Sequence, residues 1–472
     1  MPYEFPADHR AIIDRIKEND QKHVLRWLGE VSEEEREAFL GQLEDVDFDL
    51  VSHFERLIRE GVHDPDVGEV TPANVIQLAR NTKGDQQESA VRSTGRKALQ
   101  GDRVVAVTVA GGQGTRLGYD GPKGTYPITP IRGRSLFQVL AEKIQAARRT
   151  YRCRLPWLIM TSRVNDDQTR AFFADHEFFG LEEDTVHFFT QSDNPILGPN
   201  GRLLLADKGK LLVGPDGHGG FFGALHKSGL AERMLEEHFD LISYFQVDNP
   251  LIRTVDERFI GHHIERGADF SCKVVAKRDP AEKLGVAVRD NGRPGIVEYA
   301  NLPEAMARKT TPNGRLKYRY GNIAAHVMDL EFAARMGSTI DALPWHIAKR
   351  EYASLDENGD PVRRTCYKFE RYVFDCLAHA SGCAFVETRR EREFAPVKNA
   401  TGEDSPESCR TALKNLWVSW LRQCGFDVGE LRNTDDKVEI SPSFANSAAE
   451  LARKLPAGFR PVPPVVLEPS DD

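Results

Sequence analysis

The seven cysteines of this chain, at 153, 272, 366, 376, 383, 409 and 424, form no CxxC pair and no zinc-like spacing. An odd, scattered set excludes a disulfide framework and reads as reduced core thiols. Long hydrophobic runs are also missing. No stretch approaches the roughly 18 apolar residues that span a bilayer, and the opening MPYEFPADHR has neither a basic n-region nor an apolar h-region. The expectation is a soluble cytoplasmic protein with no membrane partner. Positive charge is not in excess either, with 63 Lys+Arg against 72 Asp+Glu, and nucleic acid as a partner would call for a basic face. Internal repeats and low-complexity segments are absent. What remains is an ordinary globular composition, 40% hydrophobic and 29% charged over 472 residues, enough for two or three domains around a substantial core.

The charge is unevenly spread. The first hundred residues hold 21 Asp+Glu against 13 Lys+Arg, so they carry -8 of the formal net charge of -9. Here the apolar residues recur with helical period, as in Ala11, Ile12, Ile16 and Phe39, Leu40, Leu43. Ser32 with Glu35 fits a capping box. The expectation is a small helical N-terminal domain over 1–95, with the polar stretch 81–94 as a linker.

From Arg103 onward short β-branched runs alternate with amphipathic stretches: VVAVTVA, then WLIM near 157, VHFF near 186, LISYFQV near 241 and FSCKVV near 270. Strands alternating with helices predict an α/β fold with a doubly wound sheet. Asp290-Asn291-Gly292 between two strand-like runs predicts a hairpin, which makes that sheet mixed. The central domain is expected over 96–402 and a small C-terminal domain, with a helix over 408–424, over 403–472.

The first of these strands ends in Ala110-Gly111-Gly112-Gln113-Gly114-Thr115-Arg116-Leu117-Gly118. Glycines directly after a buried strand let backbone N–H groups approach a nucleotide. The spacing is not the dinucleotide fingerprint, because Leu117 stands where the third glycine belongs, and no register gives the P-loop GxxxxGK. Arg116 and Lys123, the latter in Pro122-Lys123-Gly124, put two cations beside the loop, which suits a triphosphate. Asp248 closes the run LISYFQV, and strand ends are where open α/β sheets place ligands. It can hold a hard cation or simply cap the loop towards Asp256. Two constellations carry less: His262 and His263 with Glu265 are sequence neighbours that do not face one way on a helix and read as surface, and Cys366, Cys376 and Cys383 read as core.

AGGQGTRLG followed by PKG resembles the signature of nucleoside-diphosphate-sugar pyrophosphorylases. Similarity to the eukaryotic-type UDP-N-acetylglucosamine pyrophosphorylases continues in FFTQ (188–191), PDGHGG (215–220), QVDNPL (246–251), VEY (297–299), GNIAAH (321–326), YKFERYVFD (367–375) and FAPVKNA (394–400). The resemblance implies a Rossmann-like nucleotidyltransferase whose partners are UTP and a sugar 1-phosphate, with Mg2+ (or Mn2+) as cofactor. It assigns Gly111, Gly112, Gln191 and Gly217 to the nucleotide, Asp248 to the metal and nucleotide, and Arg116, Lys123 and Lys398 to the phosphates as catalytic cations. His218, Glu298, Tyr299 and Asn322 fall to the sugar. A glutamine amide offers both complements to the uracil edge, which presents an N–H donor between two carbonyls. His218 departs from the family, which has Asn there in the N-acetylglucosamine enzymes, and looks more like the glucose-1-phosphate uridylyltransferases; both sugars stay open. A UDP-sugar-dependent glycosyltransferase or a silent sugar-nucleotide sensor would not need the three cations.

Overall fold

A computed structural model describes residues 9–61, 70–79, 82–429, 431, 438–456 and 458–469. The first eight residues, where a leader was sought, and Asn81, where the linker was expected to begin, lie outside the described residues. The chain divides into two compact units, one comprising Met1–Asp66, Ser192–Gly220 and Asp341–Val373, the other Val67–Gln191, Phe221–Ile340 and Phe374–Asp472.

In the first unit the expected helices form, over Arg10–Glu18, Glu33–Glu44 and Phe48–Glu60. Ser32 and Glu35 make the capping box reciprocally. The helices bury Ile12, Ile16, Phe39, Leu40, Leu43 and Phe54, and the same cluster holds Leu197, Leu203, Leu211 and Phe369. Phe54 stacks on Phe369 with centroids 3.8 Å apart. Phe369 lies on a hairpin of His346–Leu355 with Pro361–Glu370. An independent helical domain over 1–95 is therefore not what forms: these short amphipathic helices cover their apolar faces with segments brought in from positions 192–220 and 341–373.

The second unit is built on an 11-stranded mixed sheet. Its strands, in chain order, are β1 Val70–Pro72, β2 Val75–Ile76, β3 Val104–Val109, β4 Trp157–Thr161, β5 Val186–Thr190, β6 Leu241–Gln246, β7 Phe270–Ala276, β8 Val286–Asp290, β9 Arg293–Val297, β10 Tyr320–Asp329 and β11 Phe385–Glu387. The spatial order is β2-β11-β7-β10-β6-β3-β4-β5, with β8 joining β10 and carrying β1 and β9 beside it. Strands β6, β3, β4 and β5 are mutually parallel, and β10 runs antiparallel between β6 and β7. Val104 to Val107 are all buried, so both faces of the central strand are covered, as in a doubly wound sheet. The predicted hairpin forms between β8 and β9, with Asn291 and Gly292 both at positive φ (47° and 81°), the backbone a tight two-residue turn requires.

Residues 82–94 are a correction. They belong to a helix, Thr82–Gln100, that packs on the helix Glu257–Glu265. A Cβ on Gly95 would lie 1.9 Å from the Glu257 carbonyl oxygen, and one on Gly261 2.0 Å from that of Val91. The two backbones thus meet through glycine, and so little apolar surface is needed that the segment looks polar in sequence. The second correction concerns the tail. The predicted helix forms as Pro406–Gln423, capped by Ser405, but Leu413, Leu416 and Trp417 share one core cluster with Phe137 and Ile144. The described residues after 403 thus share the core of the sheet-bearing unit.

Candidate functional site

Because β3, β4, β5 and β6 are parallel, their carboxyl ends meet at one edge of the sheet. The glycine loop follows β3, Gln191 follows β5 and Asp248 follows β6. Asn322 joins them from the start of antiparallel β10.

The loop is held from beneath by a residue that sequence reading missed. Asn165 is fully buried; its Nδ2 donates to the carbonyls of Ala110 (2.9 Å) and Gly112 (3.3 Å), and its Oδ1 accepts from the Ser162 N–H (2.8 Å) and hydroxyl (3.0 Å). In sequence it is one asparagine before a helix, with nothing to distinguish it from a cap. Removing it leaves the Ala110 carbonyl and the Ser162 N–H without a partner, at about 1–3 kcal/mol each, while the Gly112 carbonyl keeps the Lys123 N–H. We expect Asn165→Ala to lose about 2–3 kcal/mol of stability, read as a lower denaturant midpoint with an unchanged m-value; a midpoint within error of wild type would show that the loop holds itself.

Gly111 is required by a close approach. A Cβ there would sit 2.4 Å from Nε2 of Gln191, so the amide rests directly on the glycine. Gln191 is buried and its backbone N–H is fixed by the Thr161 carbonyl at 3.0 Å, while its carboxamide makes no hydrogen bond to another described residue. A buried amide with its donor and acceptor unspent is a ready partner for a base edge.

Lys123 donates its backbone N–H to the Gly112 carbonyl at 3.0 Å, and its Nζ lies 4.0 Å from Oδ2 of Asp248. Asp248 is buried and is the carboxylate of this edge that could hold a metal. Arg116 is exposed on the turn Thr115–Leu117; it and Lys398 form no ion pair among the described residues. The Val397 N–H donates to the Asp248 carbonyl (2.8 Å), which brings the segment bearing Lys398 to the metal-binding candidate. Asn249 serves as a strap: its Nδ2 donates to the Glu393 carbonyl and its Oδ1 accepts from the Ala395 N–H, so its amide is committed to the backbone rather than to water at a metal.

Asp404 is the second residue sequence reading missed, because the central domain was ended at 402. Its carbonyl accepts from the N–H groups of Lys398 (2.6 Å) and Asn399 (3.0 Å), curling the loop that presents Lys398. Burial raises its carboxyl pKa above the usual range; Lys398 opposes that shift and Asp248 adds to it.

Asn322 and Glu298, both expected at the sugar, are brought together through Gly285. The Asn322 N–H donates to the Gly285 carbonyl at 2.8 Å, and a Cβ on Gly285 would lie 3.0 Å from Oε1 of Glu298. Asn322 Oδ1 accepts from the Ala324 N–H (3.1 Å), leaving its amide hydrogens as donors. Tyr299 is 44% exposed.

Gly217 and His218 belong to the other unit. Gly217 has φ +87°, and a Cβ there would meet the Arg371 carbonyl at 2.5 Å. The ring of His218 is fixed: its Nδ1 accepts from the Val373 N–H at 3.0 Å, which places the proton of the neutral ring on Nε2, and it stacks on Tyr372. His263, expected at the surface, is buried, with its nitrogens on the Ser271 hydroxyl (2.9 Å) and the Asp329 carboxylate (3.0 Å); His262 pairs with Glu88. Both are tied into the scaffold.

A glycine turn, an uncommitted buried amide and a carboxylate beside a lysine, all at the carboxyl edge of parallel strands, define a nucleotide-binding α/β protein. Residues 51–426 match the family described as UTP–glucose-1-phosphate uridylyltransferase, and the chain belongs to that family. It is 35% identical over 469 residues to UDP-N-acetylglucosamine diphosphorylase 2 of Arabidopsis thaliana, covering 94% of this chain and 91% of that one. Identity to the UDP-N-acetylglucosamine pyrophosphorylase of Saccharomyces cerevisiae is 30%, covering 93% of each. Among solved structures, the uridine diphosphate N-acetylglucosamine pyrophosphorylase of Trypanosoma brucei in complex with inhibitor matches with a TM-score of 0.84 at 28% identity, over 100% of both chains. No described helix is long and apolar enough to cross a membrane.

Proposed function

We propose that this protein joins UTP to N-acetylglucosamine 1-phosphate, releasing pyrophosphate and UDP-N-acetylglucosamine. The observation that carries the reading is an edge where cations converge with little ion pairing: Lys123 faces Asp248 at 4.0 Å, while Arg116 and Lys398 lie in no ion pair among the described residues, Lys398 acting on the Asp404 carboxyl only at longer range. About four negative charges on UTP and two on the sugar phosphate repel strongly unless cations converge on them. A phosphate oxygen of the sugar 1-phosphate attacks the α-phosphorus in line, forming the new P–O bond as the bond to the pyrophosphate oxygen breaks. The nucleophile is already ionised near neutral pH, so no general base is required, and what this chain supplies is position and charge. Gln191 reads the uracil edge, the bare backbone of Gly111 and Gly112 admits it, Lys123, Arg116 and Lys398 hold the phosphates, and Glu298, Asn322 and Tyr299 receive the sugar.

The residues suit Mg2+, with Mn2+ as a substitute: one buried carboxylate, Asp248, is the protein ligand such an ion needs when phosphate oxygens complete its shell. When bound, the ion would neutralise phosphate charge. The seven free thiols suit a reducing compartment, and we place the enzyme in the cytoplasm on that ground.

The sugar assignment follows the names of the relatives, and a second substrate rests on the sequence resemblance that gives position 218 to the sugar. A ring in place of an amide leaves shape and apolar contact to recognise the acetamido group, which discriminates by roughly 10–200-fold. We expect pyrophosphate release to be fastest with N-acetylglucosamine 1-phosphate, detectable with glucose 1-phosphate, and more selective in His218→Asn, judged by kcat/KM for both sugars. A wild type that prefers glucose 1-phosphate would move the assignment to that sugar. Gln191→Ala is expected to cut the preference for UTP over CTP by about 10–100-fold, read from kcat/KM for both nucleotides; unchanged preference would assign base reading to the backbone alone.

A further inference from the structure

We infer that the sheet-bearing unit holds a second ligand site, for a small aromatic carboxylate, in a cavity that shares no residue with the candidate active site. The cavity measures about 220 Å3 and lies between the helix Pro406–Gln423, the segment 439–449 and the loop after Asp248. Its interior is apolar and aromatic, with Leu251, Leu413, Trp417, Trp420 and Ala445 among its walls. Four cations, Arg134, Lys143, Arg253 and Arg392, also line it.

The charge is not balanced from within. Glu439 is the one carboxylate among the lining residues, and it is taken up by the Arg134 guanidinium and by the N–H groups of Ile131 (2.8 Å) and Arg132 (2.9 Å). Arg392 has no carboxylate within ion-pair distance among the described residues. Arg253 lies 4.0 Å from Asp256 and from Glu393, two carboxylates it shares with the closer, buried Nζ of Lys273, at 2.8 and 2.5 Å; they pull its pKa above the usual value, but at 4.0 Å its guanidinium donates no hydrogen bond to either. These two arginines are exposed and the indole-lined interior is not. Burial lowers the Lys143 pKa to about 7, against the pull of Glu393. An apolar interior with Arg392 out of any ion pair and Arg253 only loosely paired at its edge selects an amphipathic anion: rings inside on Trp417 and Trp420, carboxylate outside on Arg253 and Arg392. The volume admits one or two fused rings.

Two connections tie this cavity to the reactive edge. The Nζ of Lys143 donates to the carbonyls of Pro250 and Ile252, two and four residues beyond Asp248. Arg392 precedes the strap in which the Glu393 carbonyl and the Ala395 and Val397 N–H groups bind Asn249 and Asp248, and that strap ends at Lys398. A ligand that fixes Arg392 and the 250–253 loop therefore bears on both Asp248 and Lys398, in the manner of a coupled site.

The test uses the full chain with 2-naphthoate as probe and 2-naphthylmethanol as its neutral counterpart, followed by tryptophan fluorescence. Naphthoate is expected to quench saturably and to bind at least about tenfold more tightly than the alcohol, with the quench lost in Trp417→Phe/Trp420→Phe. Arg253→Gln/Arg392→Gln should abolish that tenfold margin while the alcohol binds as before. Ala445→Leu, which narrows the cavity, should weaken both probes. Saturating naphthoate should also change UTP turnover without competing with UTP. Equal affinity for the two probes, a margin that survives the double arginine variant, or quenching that persists without the two tryptophans would each overturn the site. A site that binds as expected with no effect on turnover would overturn the coupling. The fluorescence readout does not depend on the proposed reaction, so failure of one leaves the other standing.

Discussion

Asp248→Asn is expected to lower kcat by about 10³ and to flatten the dependence of rate on Mg2+. A neutral amide is a poor ligand for a hard cation. Metal-assisted charge neutralisation is worth several kcal/mol, and each 1.36 kcal/mol is tenfold in rate. The substitution also removes the carboxylate 4.0 Å from Lys123, so UTP without metal should bind no more weakly than before, because one negative charge has left the edge. The measurement is a Mg2+ titration of pyrophosphate release, with UTP binding followed separately by calorimetry. An unchanged titration would remove Asp248 from the metal.

Lys398→Ala is expected to lower kcat by about 10²–10³, the scale for deleting one preorganised charge-stabilising group, with little change in the unfolding midpoint. The geometry separates these two effects. Backbone bonds from Val397 to Asp248 and from Lys398 and Asn399 to Asp404 shape this loop, and none of them uses the Lys398 side chain, so truncation leaves the loop in place. Near-normal turnover would show that Arg116 and Lys123 suffice. An equally large fall in stability would show that the ammonium group is a structural partner.

Much of this site could be read from sequence because its parts sit next to strand signals. The β-branched runs at 104, 157, 186, 241 and 270 are strands, and in a parallel sheet whatever follows such a run stands at the ligand edge. That rule marks the glycine loop and Asp248, whereas Gln191 is legible only through the family resemblance. Asn165 and Asp404 are legible in neither way, since each acts through backbone groups distant in sequence; Asn165 reaches back 53 and 55 positions to Gly112 and Ala110. The same limit hid the domain plan. Helical periodicity reports that Ile12 and Phe39 face something apolar, but not that Leu203 and Phe369 share their cluster. The helix Thr82–Gln100 was misread for a different reason: it meets its neighbour through Gly95 and Gly261, and glycine contact leaves no apolar stripe.

The three-segment make-up of the smaller unit sets a timetable for synthesis. The unit needs residues up to Val373, so its first 66 residues leave the ribosome about 300 residues before their last partner segment. At ~5–20 residues per second that delay is roughly 15–60 s. Throughout it Ile12, Ile16, Phe39 and Phe54 lack the hairpin strand that carries Phe369. The amino-terminal helices of the nascent chain therefore keep apolar faces uncovered until the hairpin is made, a state open to aggregation.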